Sequence, residues 1–494
     1  MGKDTKEDVT FRELMESIRE TQRKSLRVVG LGLYSSTMVR RVETGERLPK
    51  KLERDRLLAR LGVYSVEYED YLSQDEYAEL VMIQDILKSI EAKDIATLEK
   101  KIAALEALND EGKVERQFLE TMRFMMLQMK HAPEEELRCV IELAVSYTIP
   151  EIDEGFPKKI ALADQEINLL LEYVRLHQCG ETEEVRRKWR LARYKDIVEY
   201  LRDNFMDDIN RAKVYPKAIY YISLEYIDGQ GTLEELESCL KLCTYAIECL
   251  RDAQRLYYMV EMLELRQWLI ARILEEDTSI PKNEAKKLRT LATTSKKWAT
   301  LYKDLYTEYG ISPYMENFCF LYWETESHSS NEVIRLRRKM LGITQEQFST
   351  GVCTSKTVGR IENREISPQM YDLRGLFENS SMYPEFVISR VISSDWETME
   401  LHNQVVQYNN DRNVKKWGDS LDKLEKRLDM DILQNKQLII RERILMEEWT
   451  QEITRQEAVE RLIEVAKMTI PVDRLLTLNE WFLTREEITC IYNI

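Results

Sequence analysis

Residues 342–363 read Gly-Ile-Thr-Gln-Glu-Gln-Phe-Ser-Thr-Gly-Val-Cys-Thr-Ser-Lys-Thr-Val-Gly-Arg-Ile-Glu-Asn, and this stretch decides how the chain around it folds. Thr344-Gln345-Glu346-Gln347 is a capping box that starts a short helix with Phe348 turned inward. Gly351 closes that helix, and Thr354 or Ser355 caps the next, in which Val358 and Ile361 share one face. Upstream, Ser329-x-x-Glu332 is another capping box, opening a first helix through Val333-Ile334-Arg335-Leu336-Arg337. Downstream, Ser367-Pro368 offers an N-cap and a first-turn proline for a fourth helix. A helix, a short helix, a tight turn and a third amphipathic helix make a helix-turn-helix.

The same head occurs a second time. Subtracting 319 carries Arg360-Ile361-Glu362 onto Arg41-Val42-Glu43, and Gly351, Ser355, Val358 and Pro368 onto Gly32, Ser36, Val39 and Pro49. The offset continues past the heads, pairing Tyr77 with Trp396, Ile102 with Leu421 and Leu105 with Leu424. One inserted residue later, Gln117-Phe118-Leu119 meets Gln437-Leu438-Ile439, and Arg123 meets Arg443. After one more insertion, Thr148-Ile149-Pro150 meets Thr469-Ile470-Pro471, and Glu166-Ile167 meets Glu487-Ile488. Registry over such a length identifies a duplication, with copy one at about 10–175 and copy two at about 331–494. Residues 176–330 occur once. In head one Thr10-x-x-Glu13 is the opening box, and Phe11, Leu14, Ile18, Val29, Leu33, Val39, Val42, Leu57 and Leu61 are the expected core.

Composition fits an all-α chain. Sixteen Gly and ten Pro make about 5% of 494 residues, where an average chain carries roughly 12%. So few turn formers exclude a β-sandwich, a propeller or long disordered linkers. The formal charge is −16, which argues against a nucleic-acid partner until it is resolved along the sequence. Residues 10–60 carry 13 Lys/Arg against 7 Asp/Glu, and residues 331–374 carry 8 against 5. The heads are thus basic islands of +6 and +3, and the rest of the chain holds −25.

Other motifs carry little chemistry. Gly30-Leu31-Gly32 has Ser35 where a dinucleotide loop needs its third glycine, and no strand precedes it. Asn379-Ser380-Ser381 has the form of a glycosylation sequon. There is no CxxC, Walker loop, nucleophile elbow or HExxH, and His131, His177, His328 and His402 show no catalytic spacing. Cys239, Cys243 and Cys249 share one helical segment and are expected in its core. The polar start MGKDTKEDVT has no signal-peptide core, and no apolar run is long enough to span a bilayer. A cytoplasmic protein with reduced thiols, no metal, no cofactor and no enzymatic site is the expectation.

Residues 65–330 read as successive amphipathic helices: one through Ile219–Tyr226, another from Leu233 to Leu250 after Gly229 and Gly231, then helices near 254–275 and 284–308. Ala218, Tyr226, Gly229 and Ala246 fall where helix-hairpin repeats place small or aromatic residues. The segment loosely resembles tetratricopeptide repeats. The domain reading is 1–68 and 329–382 as helix-turn-helix heads, 69–328 as a helical-repeat body and 383–494 as a second, shorter helical segment.

The strings GITQEQFSTGVCTSKTVGRIEN and GLGLYSSTMVRRVETGERLP resemble the xenobiotic-response-element (Cro/repressor-type) family of bacterial DNA-binding domains. That resemblance implies structural ion pairs between the glutamate after R-I or R-V and a helix-one arginine: Arg19 with Glu43, and Arg337 with Glu362. The exposed start and middle of the third helix then carry base reading. In head one these are Ser36, Thr37 and Arg40, with Arg41, Arg47 and Lys50 nearer the backbone. In head two they are Ser355, Lys356 and Thr357, flanked by Arg364, and Gly359 stands where head one has Arg40. Lys24-Ser25-Leu26-Arg27 replaces TQEQ in head one. A head followed by such repeats is similar to the peptide-pheromone-sensing regulators of Gram-positive bacteria. The similarity implies a homodimer that binds double-stranded DNA and takes a short peptide in its body. A protein-interaction scaffold with vestigial heads stays open, and so does a chain whose two heads read two half-sites as a pseudo-dimer.

Overall fold

The computed structural model describes residues 11–64, 67–108, 112–152, 155–156, 159–205, 208–227, 231–315, 326–382, 386–388 and 390–494. Thr10 of the first capping box and Gly229 lie outside the described residues. The described chain is all-α apart from three short strands, β1 (Tyr68–Leu72), β2 (Glu326–Ser329) and β3 (Phe386–Ile388). No helix in it is long and apolar enough to cross a membrane.

The duplication is written into the backbone. Leu26–Gly30 and Ser36–Glu43 recur 319 residues later as Gln345–Ser349 and Ser355–Glu362, with equal lengths. Lys113–Met129 recurs as Leu433–Trp449, at the offset of 320 that follows the first insertion. Left-handed residues recur too: Gly32 (φ 78°) with Gly351 (φ 76°), Gly45 (75°) with Arg364 (60°), and Lys93 (53°) with Arg412 (56°). Buried polar contacts are copied as well. Gln117 donates through Nε2 to Ala144 O and Thr148 Oγ1, and Gln437 donates to Val465 O and Thr469 Oγ1.

The two closing glycines differ in their surroundings, which yields a prediction. A Cβ on Gly351 meets nothing, whereas one on Gly32 would lie 2.1 Å from the Thr148 carbonyl oxygen. Gly351→Ala should therefore cost only the left-handed strain, about 1–2 kcal/mol. Gly32→Ala should cost a further roughly 1–3 kcal/mol for overpacking against backbone. Urea midpoints of the two variants compare them directly, and equal losses would refute the close approach at Gly32.

The chain packs into two compact units, one of Met1–Leu26, Thr37–Gln84 and Trp323–Ile494, the other of Arg27–Ser36 and Asp85–Tyr322. In the first, β1 is the central strand, parallel to β2 and antiparallel to β3. Helix Lys51–Arg60 packs beneath β1 through buried charges. Lys51 Nζ lies 2.7 Å from Asp55 and 3.2 Å from Asp70, Arg54 bridges Asp70 and Glu76, and the Tyr68 and Ser327 hydroxyls donate to Asp55 and Asp70. Burial alone would raise the Asp70 carboxyl, but Lys51 and Arg54 hold it below its usual value. Val333, Ile334, Phe348, Val358, Ile361, Leu376 and Phe377 form the core of head two. All nine expected core residues of head one are buried.

In the second unit, helices pack each on the next: Leu233–Asp252 on Met259–Glu276, and that on Lys282–Glu308. Cys239, Cys243 and Cys249 are buried in this stack, with Cys243 Sγ donating to Met262 O. Ala218, Tyr226 and Ala246 are interhelix core there.

Candidate nucleic-acid interface

Each head aims its third helix outward for the same reason. In Ser36–Glu43 the residues Val39, Val42 and Glu43 are buried, which leaves Ser36, Thr37, Arg40 and Arg41 together on the exposed face. In Ser355–Glu362 burial of Val358 and Ile361 exposes Ser355, Lys356 and Arg360. Thr354 is the N-cap residue, accepting from the Thr357 backbone N–H, and the two threonine hydroxyls lie 2.9 Å apart. Thr357 is thereby tied into the cap.

The buried glutamate fixes the third helix to the first. Arg19 grips Glu43 with two hydrogen bonds, of 2.6 and 3.0 Å. In head two the expected partner is corrected: Glu362 is held by Arg338, at 2.5 and 2.9 Å, and not by Arg337. Gln345 adds a bond of 2.7 Å to the same carboxylate. Arg337 points the other way, into the C-terminal helices, where it is fully buried against Glu487. One residue along a helix turns a side chain by about 100°, so adjacent arginines cannot share a partner on one face. The duplication itself carries the correct assignment, because Arg19 plus 319 is Arg338.

The cations divide into committed and free. Arg47 is paired with Glu53 at 3.1 Å, Arg364 with Glu332 at 3.0 Å, and Lys50 Nζ lies 4.0 Å from Glu79. Arg41 lies 3.7 Å from Glu46 and Arg360 lies 3.4 Å from Glu365, one surface pair repeated at the same offset. Exposed pairs of this kind are worth about 0–1 kcal/mol, so a phosphate can displace the glutamate. Arg360 was not among the residues expected at the interface, although its counterpart Arg41 was. The Arg40 and Lys356 side chains have no ion-pair or hydrogen-bond partner among the described residues. Gly359 leaves the centre of the head-two face without a side chain.

Two expected caps are corrected. Ser329 is the N-cap residue of Ser330–Leu341 but makes no side-chain cap bond, and its hydroxyl lies 3.4 Å from Gln74 Oε1. The fourth helix of head two begins at Met370 with Gln369 as N-cap, while the Ser367 hydroxyl accepts from the Gln74 backbone N–H. The sequon is structural: Asn379 donates to the Phe348 and Thr350 carbonyls inside head two. His402 is buried, and burial together with Arg441 and Arg390 pushes it down to about 3, so it stays neutral. Among the described residues no group of His, Cys, Asp and Glu is placed to hold a metal.

No protein-family profile and no curated protein matches the chain. Among solved structures, Bacillus thuringiensis PlcR in complex with the peptide PapR7 and DNA matches with 14% identity and a TM-score of 0.32, over 61% of this chain and 98% of that one.

Proposed function

We propose that this chain is a sequence-specific DNA-binding transcriptional regulator of the cytoplasm, whose helical body senses a ligand, a short peptide. Heads 1–68 and 329–382 would meet the duplex, 69–328 would take the ligand, and 383–494 would support head two. The observation that carries the reading is the exposed third helix of each head. Each is pinned from behind by a half-buried Arg–Glu pair and presents a side chain without an ion-pair partner among the described residues, Arg40 or Lys356, on a head of net positive charge. Such a face contributes hydrogen-bond donors for base edges and charge for phosphates, while the acidic remainder is repelled from the duplex. Gly359 favours a second reading for head two alone, as a packing module.

Electrophoretic shift with genomic fragments tests this. Sequence-specific binding should resist competitor DNA, and affinity should fall about 10³-fold or more between 50 and 200 mM salt if six or more phosphates are contacted. Absence of any shift at low salt would defeat the regulator and leave the scaffold.

A further inference from the structure

The two strands that follow the heads pair with each other. Phe386–Ile388 of β3 occupies, by the 319-residue offset, positions 67–69, so β3 is the copy-two counterpart of β1. The two run antiparallel, with Tyr68 opposite Ile388 and Glu69 opposite Val387. Shifted by the offset, Ile388 is position 69 and Val387 is position 68. Position 68 of copy one thus faces position 69 of copy two, and position 69 faces position 68, so these two pairs swap into one another when the copies are exchanged. That is the signature of an isologous, two-fold interface.

The heads show the same relation. A cavity of about 550 Å³ between them is lined by Phe11 and Arg54 of head one and by Ser330 and Leu373 of head two. Phe11 plus 319 is Ser330, and Arg54 plus 319 is Leu373, so equivalent positions of both copies meet in one space. All of head two and most of head one lie in a single compact unit.

We infer that one chain is an internal pseudo-dimer, and that it reads an inverted repeat with two unlike half-sites. The inference rests on the DNA-binding reading above. A two-fold axis turns the second recognition helix to face the first, so the half-sites run in opposite directions and not in tandem. They are unlike because the faces are: Arg40 in head one, a residue type that grips guanine with two bonds, is replaced by Gly359 in head two. A homodimer is then unnecessary, since its second half is already covalent.

The test is native mass spectrometry of the full chain with the duplex it selects from a random pool, together with footprinting. One chain per duplex, protecting an inverted and asymmetric site, is expected. Arg40→Ala, an exposed change, should weaken binding roughly 5- to 150-fold and relax preference in one half-site only. Two chains per duplex, a tandem repeat, or equal relaxation of both halves would overturn the inference. If no duplex is selected, the regulator reading falls and the half-site assignment with it. The internal axis is still decided by the free chain, which a single-chain mass at micromolar concentration supports and an obligate dimer overturns.

Discussion

Arg337→Ala should cost about 3–5 kcal/mol of stability. The side chain is 0% exposed and so is its partner Glu487. Its Nη1 and Nη2 bond to Glu487 at 2.7 and 2.6 Å, and its remaining donors reach the carbonyls of Ser380, Phe482 and Thr469. Truncation leaves an uncompensated carboxylate and three buried carbonyls short of a donor, each costing about 1–3 kcal/mol when orphaned. Glu487→Gln removes the excess charge but keeps the cap that Glu487 makes on the Thr484 backbone N–H. The double variant Arg337→Ala/Glu487→Gln should therefore recover part of the loss, and the coupling in a double-mutant cycle measures the pair. A loss below about 1 kcal/mol for Arg337→Ala in urea unfolding would refute this account.

The same arginine marks what was legible in the sequence. Read within head two alone, Arg337 and Arg338 are neighbouring cations, and either fits the ion pair that the sequence resemblance implies. Compared with head one, only Arg338 does. Copy one has Ile18 at the position of Arg337, so the buried bond to Glu487 belongs to copy two alone. The helices were legible because their signals are local: Thr344 and Thr354 do cap, and every core residue expected in head one is buried. The sheet was not, because β1 is a polar pentapeptide whose partners lie more than 250 residues away. Ser329 and Ser367 were misread for a related reason. Each has the local form of a cap, yet the backbone brings Gln74 within reach of both hydroxyls. The candidate interface was half legible: burial of Val39 and Val42 dictates the outward face, but which arginines remain free depends on acids such as Glu53 and Glu332.

Lys217→Ala should have a comparable cost in the other unit, and its pH dependence identifies the cause. Lys213 and Lys217 are both buried where Asp164–Leu176, the last helix of copy one, meets Tyr215–Ile227 of the unrepeated segment. Lys217 Nζ lies 2.6 Å from Glu172 and 2.7 Å from Asn168 Oδ1. Lys213 lies 3.2 Å from Asp164, and the Tyr221 hydroxyl donates to Glu172. Burial alone would raise the Glu172 carboxyl, but Lys217 and then Arg175 overcome it and hold it at about 2. A carboxyl depressed in the folded state stabilises fully above its unfolded value of about 4.3 and loses that contribution as pH falls towards 2. Removing the lysine at pH 7 strands a carboxylate that, among the described residues, Arg175 and Tyr221 still answer, so a loss of about 3–5 kcal/mol is expected. Below about pH 4 protonation relieves the stranded charge, and the gap between wild type and variant should narrow. Thermal melts from pH 7 to pH 3 check both features. A gap that stays constant with pH would mean that packing of the lysine stem, and not its charge, holds copy one to the unrepeated helices.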